Sequence, residues 1–374
     1  MGIIKASQDA LIYSMKLDLQ NNPEQPLYLR LSEQLRQQVR AGVLRPGDRL
    51  PSFTQMRQDY GVHKSTVERA HMILEQEGLI VRQSGAGTFV AQTAKRPVRH
   101  VIGISGYGFG FTSCSSYWAK LLNGVRQAAE QKGQQVLLLD NHSSDCWEKA
   151  DGALVCNWGT LNEMHRVPAN FPCVSLMVPA TDVSSVCADD YNGTRALTKH
   201  LISLGHQRIA YLHGSDPNLA PKRLGGYQDA LLEAGIIASP NWQRALPGGI
   251  DFGQNFVKTG QAAMRFWMQH NWNDLGCTAI LAHNDETALG VIEALREAGV
   301  LVPQNVSVAG FDGLDIGVYA SPSLTTSQVP LEEIGAQAVS LLLQQIESGD
   351  GVLSHQVLQP QLLARQSTSA PLLS

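Results

Sequence analysis

Residues 26–90 read PLYLRLSEQLRQQVRAGVLRPGDRLPSFTQMRQDYGVHKSTVERAHMILEQEGLIVRQSGAGTFV, and the order of periods and breaks in this stretch decides the first fold. Leu27, Leu31, Leu35 and Val39 recur at every fourth position, with Arg30, Glu33, Gln34, Gln37 and Gln38 between them. That spacing puts the apolar side chains on one face of a helix of about four turns. Arg45-Pro46-Gly47-Asp48 breaks the pattern with a turn. Ser52-Phe53-Thr54-Gln55 has a serine followed three residues later by glutamine, a capping box that should start a short helix ending near Tyr60-Gly61. A third helix is expected over Val62–Glu77, with Val67, Ala70 and Leu74 inward and Lys64, Ser65, Glu68 and Arg69 outward. Leu79–Arg82 and Thr88–Val90 are short strands around the turn Ser84-Gly85-Ala86-Gly87.

Three helices followed by a glycine-tipped hairpin form a winged helix-turn-helix. Such a unit can place a helix N-terminus in a DNA major groove and lay a small loop against the backbone. Charge agrees with this. Residues 1–99 hold 14 Lys and Arg against 9 Asp and Glu, a net +5, whereas the remainder is net −9. A basic small domain on an acidic larger one points to nucleic acid at one end only.

The stretch resembles the DNA-binding domain of the GntR family over its whole length. The matching landmarks are Pro26-Leu27-Tyr28, Pro46-Gly47-Asp48-Arg49-Leu50-Pro51-Ser52, Gly61-Val62, Thr66-Val67, Glu77-Gly78-Leu79 and Gly87-Thr88-Phe89-Val90. The resemblance implies contacts to a double-stranded operator from Thr54, His63, Lys64, Ser65, Thr66, Glu68, Arg69, Ser84 and Gly85. Three positions depart from the family: Thr54 and Glu68 stand where arginine is usual, and His63 where Ser or Thr is usual. Glu68 could accept from a cytosine amino group, or simply pair with a neighbouring arginine.

Thr93–His100 is polar, basic and broken by Pro97, which reads as a linker. From Val101 the chain alternates strands and helices. The strand runs are VIGIS, QVLLL, GALVC, CVSLM, RIAYL, AILAH and VSVAGF; the helices are Tyr117–Lys132, Thr194–Leu204, Leu224–Ala234 and Glu286–Ala298, each followed by glycine. The class is α/β, with parallel sheets covered on both faces, and its length suits two lobes with a cleft.

Four stretches resemble the sensor core of the LacI family, which is related to periplasmic sugar-binding proteins: DDYNGTRALTKHLISLGHQRIAYLHG, KRLGGYQDALLEAGI, AILAHNDETALGVIEALREAGVLVPQNVSVAGFDG and SPSLTTSQVPLEEIGAQAVSLLL. A GntR-type head on such a core is the arrangement of arabinose-repressor-like proteins. It implies an N-terminal extension at 1–22, a winged helix-turn-helix at 23–92, a linker at 93–100 and an effector-binding and dimerisation domain at 101–368. It also implies a dimeric repressor answering to a small effector, commonly a sugar, with a nucleobase or another metabolite as the alternative. Met15 is a second candidate start, and residues 1–14 are expected to be disordered.

The resemblance carries over six effector residues: Tyr117, Trp118, Arg223, Phe252, Asn284 and Asp312. A sugar has hydroxyls at its rim and C–H groups on its faces, so fixed polar groups and flat aromatics suit it. Other readings of the same residues stand beside this. Asn284 could be only a helix cap, Arg223 and Asp312 a structural ion pair, and Tyr117 and Trp118 core or interface. Two features depart from the family. Met177 replaces a polar anchor of the first lobe, and only Asn141–Ala150 separate LLLD from DGALV, too few for the usual long helix. An aromatic and glycine stretch, Tyr107–Phe111, follows the first strand.

The remaining classes are disfavoured. The six cysteines show no C-x-x-C spacing, which speaks against a zinc site and suits a reducing cytoplasm. The N-terminus lacks an apolar signal core, and no apolar run approaches membrane-spanning length. No G-x-S-x-G elbow and no lysine in a cofactor-like setting suggests an enzyme, and no cofactor is expected.

Overall fold

A computed structural model of the chain describes residues 17, 19, 25–40, 43–83, 86–91, 100–106, 116–139, 144–156, 167–168, 171–216, 218–246, 255–348 and 352–372. Residues 1–14, the linker stretch 93–99, the aromatic stretch Tyr107–Phe111, the wing tip Ser84-Gly85 and the expected cleft residue Phe252 lie outside them.

The head holds three helices, α1 (Leu27–Arg40), α2 (Phe53–Tyr60) and α3 (Lys64–Gln76), and the hairpin β1 (Ile80–Gln83) and β2 (Gly87–Val90). Leu31, Leu35, Met56, Val67, Ala70, Leu74, Ile80 and Val90 form one buried cluster, so the apolar face read from the four-residue period is the core face. The capping box at α2 is present, with the Gln55 amide donating to Ser52 Oγ at 3.3 Å and the Ser52 amide to Gln55 Oε1 at 2.9 Å. Gly61, at φ 64, closes α2 in the left-handed conformation that glycine adopts without strain. Arg36 forks onto Glu77 at 2.6 and 2.9 Å and ties α1 to the end of α3.

Among the described residues the sensor holds two six-stranded sheets. The first takes β3 (Val101–Gly106), β4 (Gln135–Leu138), β5 (Gly152–Cys156), β6 (Cys173–Leu176), β7 (Ser184–Ala188) and β13 (His355–Leu358), in the order β13-β7-β6-β5-β3-β4. The second takes β8 (Ile209–His213), β9 (Gln243–Ala245), β10 (Ala279–Ala282), β11 (Ser307–Asp312), β12 (Thr325–Gln328) and β14 (Gln361–Leu363), in the order β14-β12-β11-β10-β8-β9. All pairings are parallel except β12 with β14. The eight helices of the sensor are α4 (Ser116–Gln131), α5 (Asp190–Ser203), α6 (Ala220–Glu233), α7 (Phe256–His270), α8 (Trp272–Leu275), α9 (Asp285–Glu297), α10 (Asp315–Val318) and α11 (Leu331–Ser348) among the described residues. Among the described residues, the short stretch before β5 holds the 3-10 turn Ser144–Lys149.

The chain passes between the sheets at three places: Ala188 to Asp190, Gln328 to Leu331, and Leu358 to Gln361. Two of these crossings are tied together, because the Asp189 amide donates to the Leu358 carbonyl at 2.8 Å and Gln359 Nε2 to Asp189 Oδ2 at 2.8 Å. Lobes joined only through short strand-to-helix passages can rotate about them while each sheet stays intact.

Helices α7 and α9 cross so closely that glycine is required at the contact. A Cβ at Gly290 would overlap the Val257 carbonyl and lie 2.7 Å from the Gln261 nitrogen. Gly260 faces the Thr287 backbone in the same way from the other helix. Sequence reading placed the start of α5 at Thr194; the helix begins at Asp190, where Asp189 accepts from the Asn192 amide at 2.9 Å. The outcome matters, since Asp190 then belongs to the first helical turn after a crossing.

Candidate functional site

In the second sheet the chain goes from β8 out to the edge strand β9 and returns on the other side of β8 as β10. This reversal makes a crevice at the C-terminal ends of β8 and β10, where parallel sheets hold ligands. Arg223 reaches that crevice from α6. Its Nε donates to Asp190 Oδ1 at 2.6 Å and one terminal nitrogen to the His283 carbonyl at 2.7 Å. Its other terminal nitrogen stands 3.8 Å from Asp312 Oδ1. The guanidinium lies over the Phe311 ring, 3.8 Å from its centroid. Arg223, Asp190 and Asp312 are 5%, 4% and 6% exposed, so the charges meet in a low-dielectric setting.

The expected Arg223–Asp312 pair is therefore the weaker half of a larger cluster, and Asp190 is the direct partner. Sequence reading missed it. The available signal was its place immediately after a capping aspartate. Asp312 sits at the end of β11 with φ 108, a conformation that costs an aspartate backbone strain. Burial pushes its carboxyl up, with Arg223 pulling the other way. Behind it, Asp285 accepts from the Leu314 amide and from Thr326 Oγ1, each at 2.6 Å, fixing the turn that follows.

Asn284 is buried beside this cluster. Its Oδ1 accepts from the Thr287 amide at 2.8 Å, so it caps α9 as the simpler sequence reading held. His283, which precedes it, has a buried Nδ1 with no hydrogen-bond partner. Burial first, then Arg223 and His213, push this imidazole down to about 3, leaving it neutral at physiological pH. Tyr117 comes from α4 of the first lobe and faces the same carboxylates. Burial and then Asp312 and Asp190 raise its phenol well above the ordinary value. Trp118 stacks edge-on against Tyr117, centroids 5.5 Å apart, and packs on the inter-lobe core. Met177 turns at φ 68 and is buried in that core, which gives an apolar group where a polar anchor was absent.

In the head, the candidate surface is the start of α3. His63, Lys64 and Ser65 are exposed there, with Thr54 exposed on α2. The outward His63 is not free: its Nδ1 accepts from the Ser65 amide at 3.4 Å and lies 3.0 Å from Ser65 Oγ, so it caps the helix in place of Ser or Thr. Thr66 and Glu68 are half-buried. Glu68 pairs with Lys64 at 3.6 Å, not with an arginine, because the i,i+4 spacing brings those two together. Arg69 lies over Tyr28 of α1, 5.7 Å from the ring centroid, and remains exposed. Ser84 and Gly85 belong to the wing tip outside the described residues.

Residues 27–90 match the gntR family of bacterial regulatory proteins, and residues 198–368 match the periplasmic binding protein-like domain. The chain is a gntR-headed transcriptional regulator. Over 369 residues the regulator is 26% identical to the arabinose metabolism transcriptional repressor of Geobacillus stearothermophilus, covering 92% of this chain and 98% of that one. Over 313 residues it is 26% identical to the ribose operon repressor of Escherichia coli, covering 79% of this chain and 87% of the relative. A solved transcriptional regulator of LacI family from Sanguibacter keddieii superposes with a TM-score of 0.60 at 27% identity, over 72% of the regulator and 98% of that structure. Among the described residues no helix is long and apolar enough to cross a membrane.

Proposed function

We propose that the regulator is a homodimeric, cytoplasmic repressor whose hold on its operator is set by a sugar bound between the two lobes of the sensor. The observation that carries the reading is Arg223. A buried guanidinium at the strand-end crevice is oriented by Asp190 and Asp312 of the second lobe, while Tyr117 approaches from the first. Fixed acceptors, a fixed donor and an aromatic edge are what a polyhydroxylated ring needs for directional recognition. Asn284 adds an amide at the rim, and Phe252 is proposed to cover the ligand. The names of the arabinose and ribose repressors favour a sugar over a nucleobase.

The operator is read by Thr54 and by His63, Lys64, Ser65, Thr66, Glu68 and Arg69 of α3, with Ser84 and Gly85 at the wing. Helix N-terminal amides and Lys64 serve phosphates, and the side chains serve base edges. A second copy docks on the face around α10, where Ile316, Val318 and Tyr319 are exposed beside a groove lined by Val257, Leu289 and Ile292. A two-fold contact there would present two heads to a near-palindromic site. Sugar binding rotates the lobes about their three crossings and changes head spacing, a coupling of roughly 1–3 kcal/mol, or about 5–150-fold in operator affinity.

The test is calorimetry of the full chain with L-arabinose and D-ribose, on the wild type and on Arg223→Ala. The expected result is binding of one of them by the wild type and its loss in Arg223→Ala, with operator affinity kept. Unchanged sugar affinity in Arg223→Ala would remove Arg223 from the site.

A further inference from the structure

We propose that Asp190 is a specificity-determining residue of the cleft: together with Asp312 it saturates the charge of Arg223, so the site accepts uncharged polyhydroxyl ligands and rejects phosphorylated or carboxylated ones. The inference rests on the sugar reading above and narrows its ligand class.

An arginine in a sugar site is ordinarily the group that would welcome an anion, because its fork matches phosphate and carboxylate oxygens. Here the fork is partly engaged and its charge is already balanced. Asp190 takes Nε at 2.6 Å, the His283 carbonyl takes one terminal nitrogen at 2.7 Å, and Asp312 faces the other at 3.8 Å. One cation thus stands against two carboxyl groups, all of them buried. With Asp312 ionised the cluster is net −1; with Asp312 protonated it is neutral. Neither state leaves positive charge for a ligand. The adjacent His283 is neutral as well, since burial and Arg223 hold its proton off. Tyr117 keeps its phenolic proton because of the same burial and carboxylates, and so offers a hydroxyl rather than a charge. Lys222, the neighbour of Arg223 on α6, is exposed and acts on Asp189 and Cys187. An anion entering would be desolvated beside two carboxyl groups without a free cation among the described residues, an arrangement low-dielectric surroundings penalise heavily. A neutral hydroxyl has no such penalty. It can donate to the free lone pairs of Asp190 or Asp312 and accept from the one Arg223 nitrogen that stands at 3.8 Å from its carboxylate.

Asp190 is the member that decides the sign. It makes the short bond, and it sits in the first turn of α5 just after a crossing between lobes. Asp190→Asn keeps the shape and one hydrogen-bond acceptor but removes a charge; with Asp312 held protonated by burial, Arg223 then has positive charge to offer.

The experiment uses the full chain as wild type, Asp190→Asn and Asp312→Asn, with inorganic phosphate, D-ribose 5-phosphate, L-arabinose and D-ribose as probes, read by melting shift and calorimetry. The wild type should ignore both anions, Asp190→Asn should gain about tenfold in preference for the phosphates over the neutral sugars, the worth of one charged hydrogen bond, and Asp312→Asn, which keeps the neutral Arg223–Asp190 pair, should not. Asp312→Asn is the control that removes the other carboxyl without freeing Arg223, and the wild-type arm needs neither variant should Asp190→Asn fail to fold. Phosphate or D-ribose 5-phosphate bound by the wild type more tightly than the neutral sugars overturns the proposal, and so does a folded Asp190→Asn with unchanged selectivity. A wild type that binds neither sugar nor phosphate, with Asp190→Asn gaining phosphate, upholds the charge assignment and removes the sugar reading instead.

Discussion

Replacing Asp285 by asparagine should remove one pH-dependent contribution to stability. Asp285 is fully buried at the start of α9, and its carboxylate accepts from the Leu314 amide and Thr326 Oγ1 at 2.6 Å each. Burial wins over those bonds and pushes the carboxyl from 3.8 up to about 7. The folded state therefore keeps a proton that the unfolded chain releases three units lower. Between those two values the native state binds more protons, so stability is fully present below pH 3.8 and is lost as pH rises through about 7. At about 1.36 kcal/mol per unit, three units amount to roughly 4 kcal/mol. The asparagine variant loses an acceptor, a constant offset of roughly 1–3 kcal/mol, but has nothing to titrate there. Buried histidines such as His283 and His71 carry the opposite dependence, because their lowered values make the native state resist protonation. They are common to both proteins and cancel in the comparison. The assay is urea unfolding of wild type and Asp285→Asn between about pH 5 and 8, followed through the tryptophans Trp267 and Trp272 buried in the second lobe. The wild-type advantage should shrink by about 1.4 kcal/mol per unit up to pH 7 and then level off. A difference that is constant across this range, or that grows with pH, refutes the reasoning.

Lys64→Ala with Ser65→Ala should abolish operator binding in a gel shift while the melting temperature falls only slightly, since Lys64 has an exposed pair with Glu68 and a 5.7 Å approach to the Phe53 ring to lose. Gly290→Ala should lower the urea midpoint of the second lobe: pushing α7 off α9 costs roughly 1–3 kcal/mol, against about 1 kcal/mol of helix propensity gained. Lys120 Nζ meets Asp315 Oδ1 at 2.7 Å from the opposite lobe. A double-mutant cycle on this pair should give a coupling of about 0.2–1 kcal/mol that fades as salt rises.

The head was legible because every signal in it is local. The four-residue apolar period, the Ser52–Gln55 box and Gly61 each fix a structure within a few residues of themselves. In the sensor, the strands that read clearly are the apolar ones. β7 and β12 went unread because Ser184, Ser185, Thr325 and Thr326 are buried hydroxyls with partners far away in sequence. Gln345 Nε2 and the Ser354 amide donate to Ser184 Oγ, and Thr326 Oγ1 donates to Asp285. Hydropathy cannot mark a strand made buriable by partners so distant in sequence. The edge strand β9 is three residues long, too short for any period. Helix α7 did carry a signal, with Ala263, Met264 and Trp267 on its buried face. At the site, Arg223 and Asp312 could be named from their motifs. That Asp190 would take the guanidinium, 33 residues away, depends on where α5 starts after its crossing.

The central claim is that occupancy of the cleft controls the head. Its direct test starts by selecting the operator from random double-stranded DNA with the full chain. Operator affinity is then measured with and without saturating L-arabinose or D-ribose, alongside Arg223→Ala. The account predicts that one sugar weakens wild-type binding about 5–150-fold and leaves Arg223→Ala unmoved. Calorimetrically proven sugar binding with unchanged operator affinity in the wild type would contradict it.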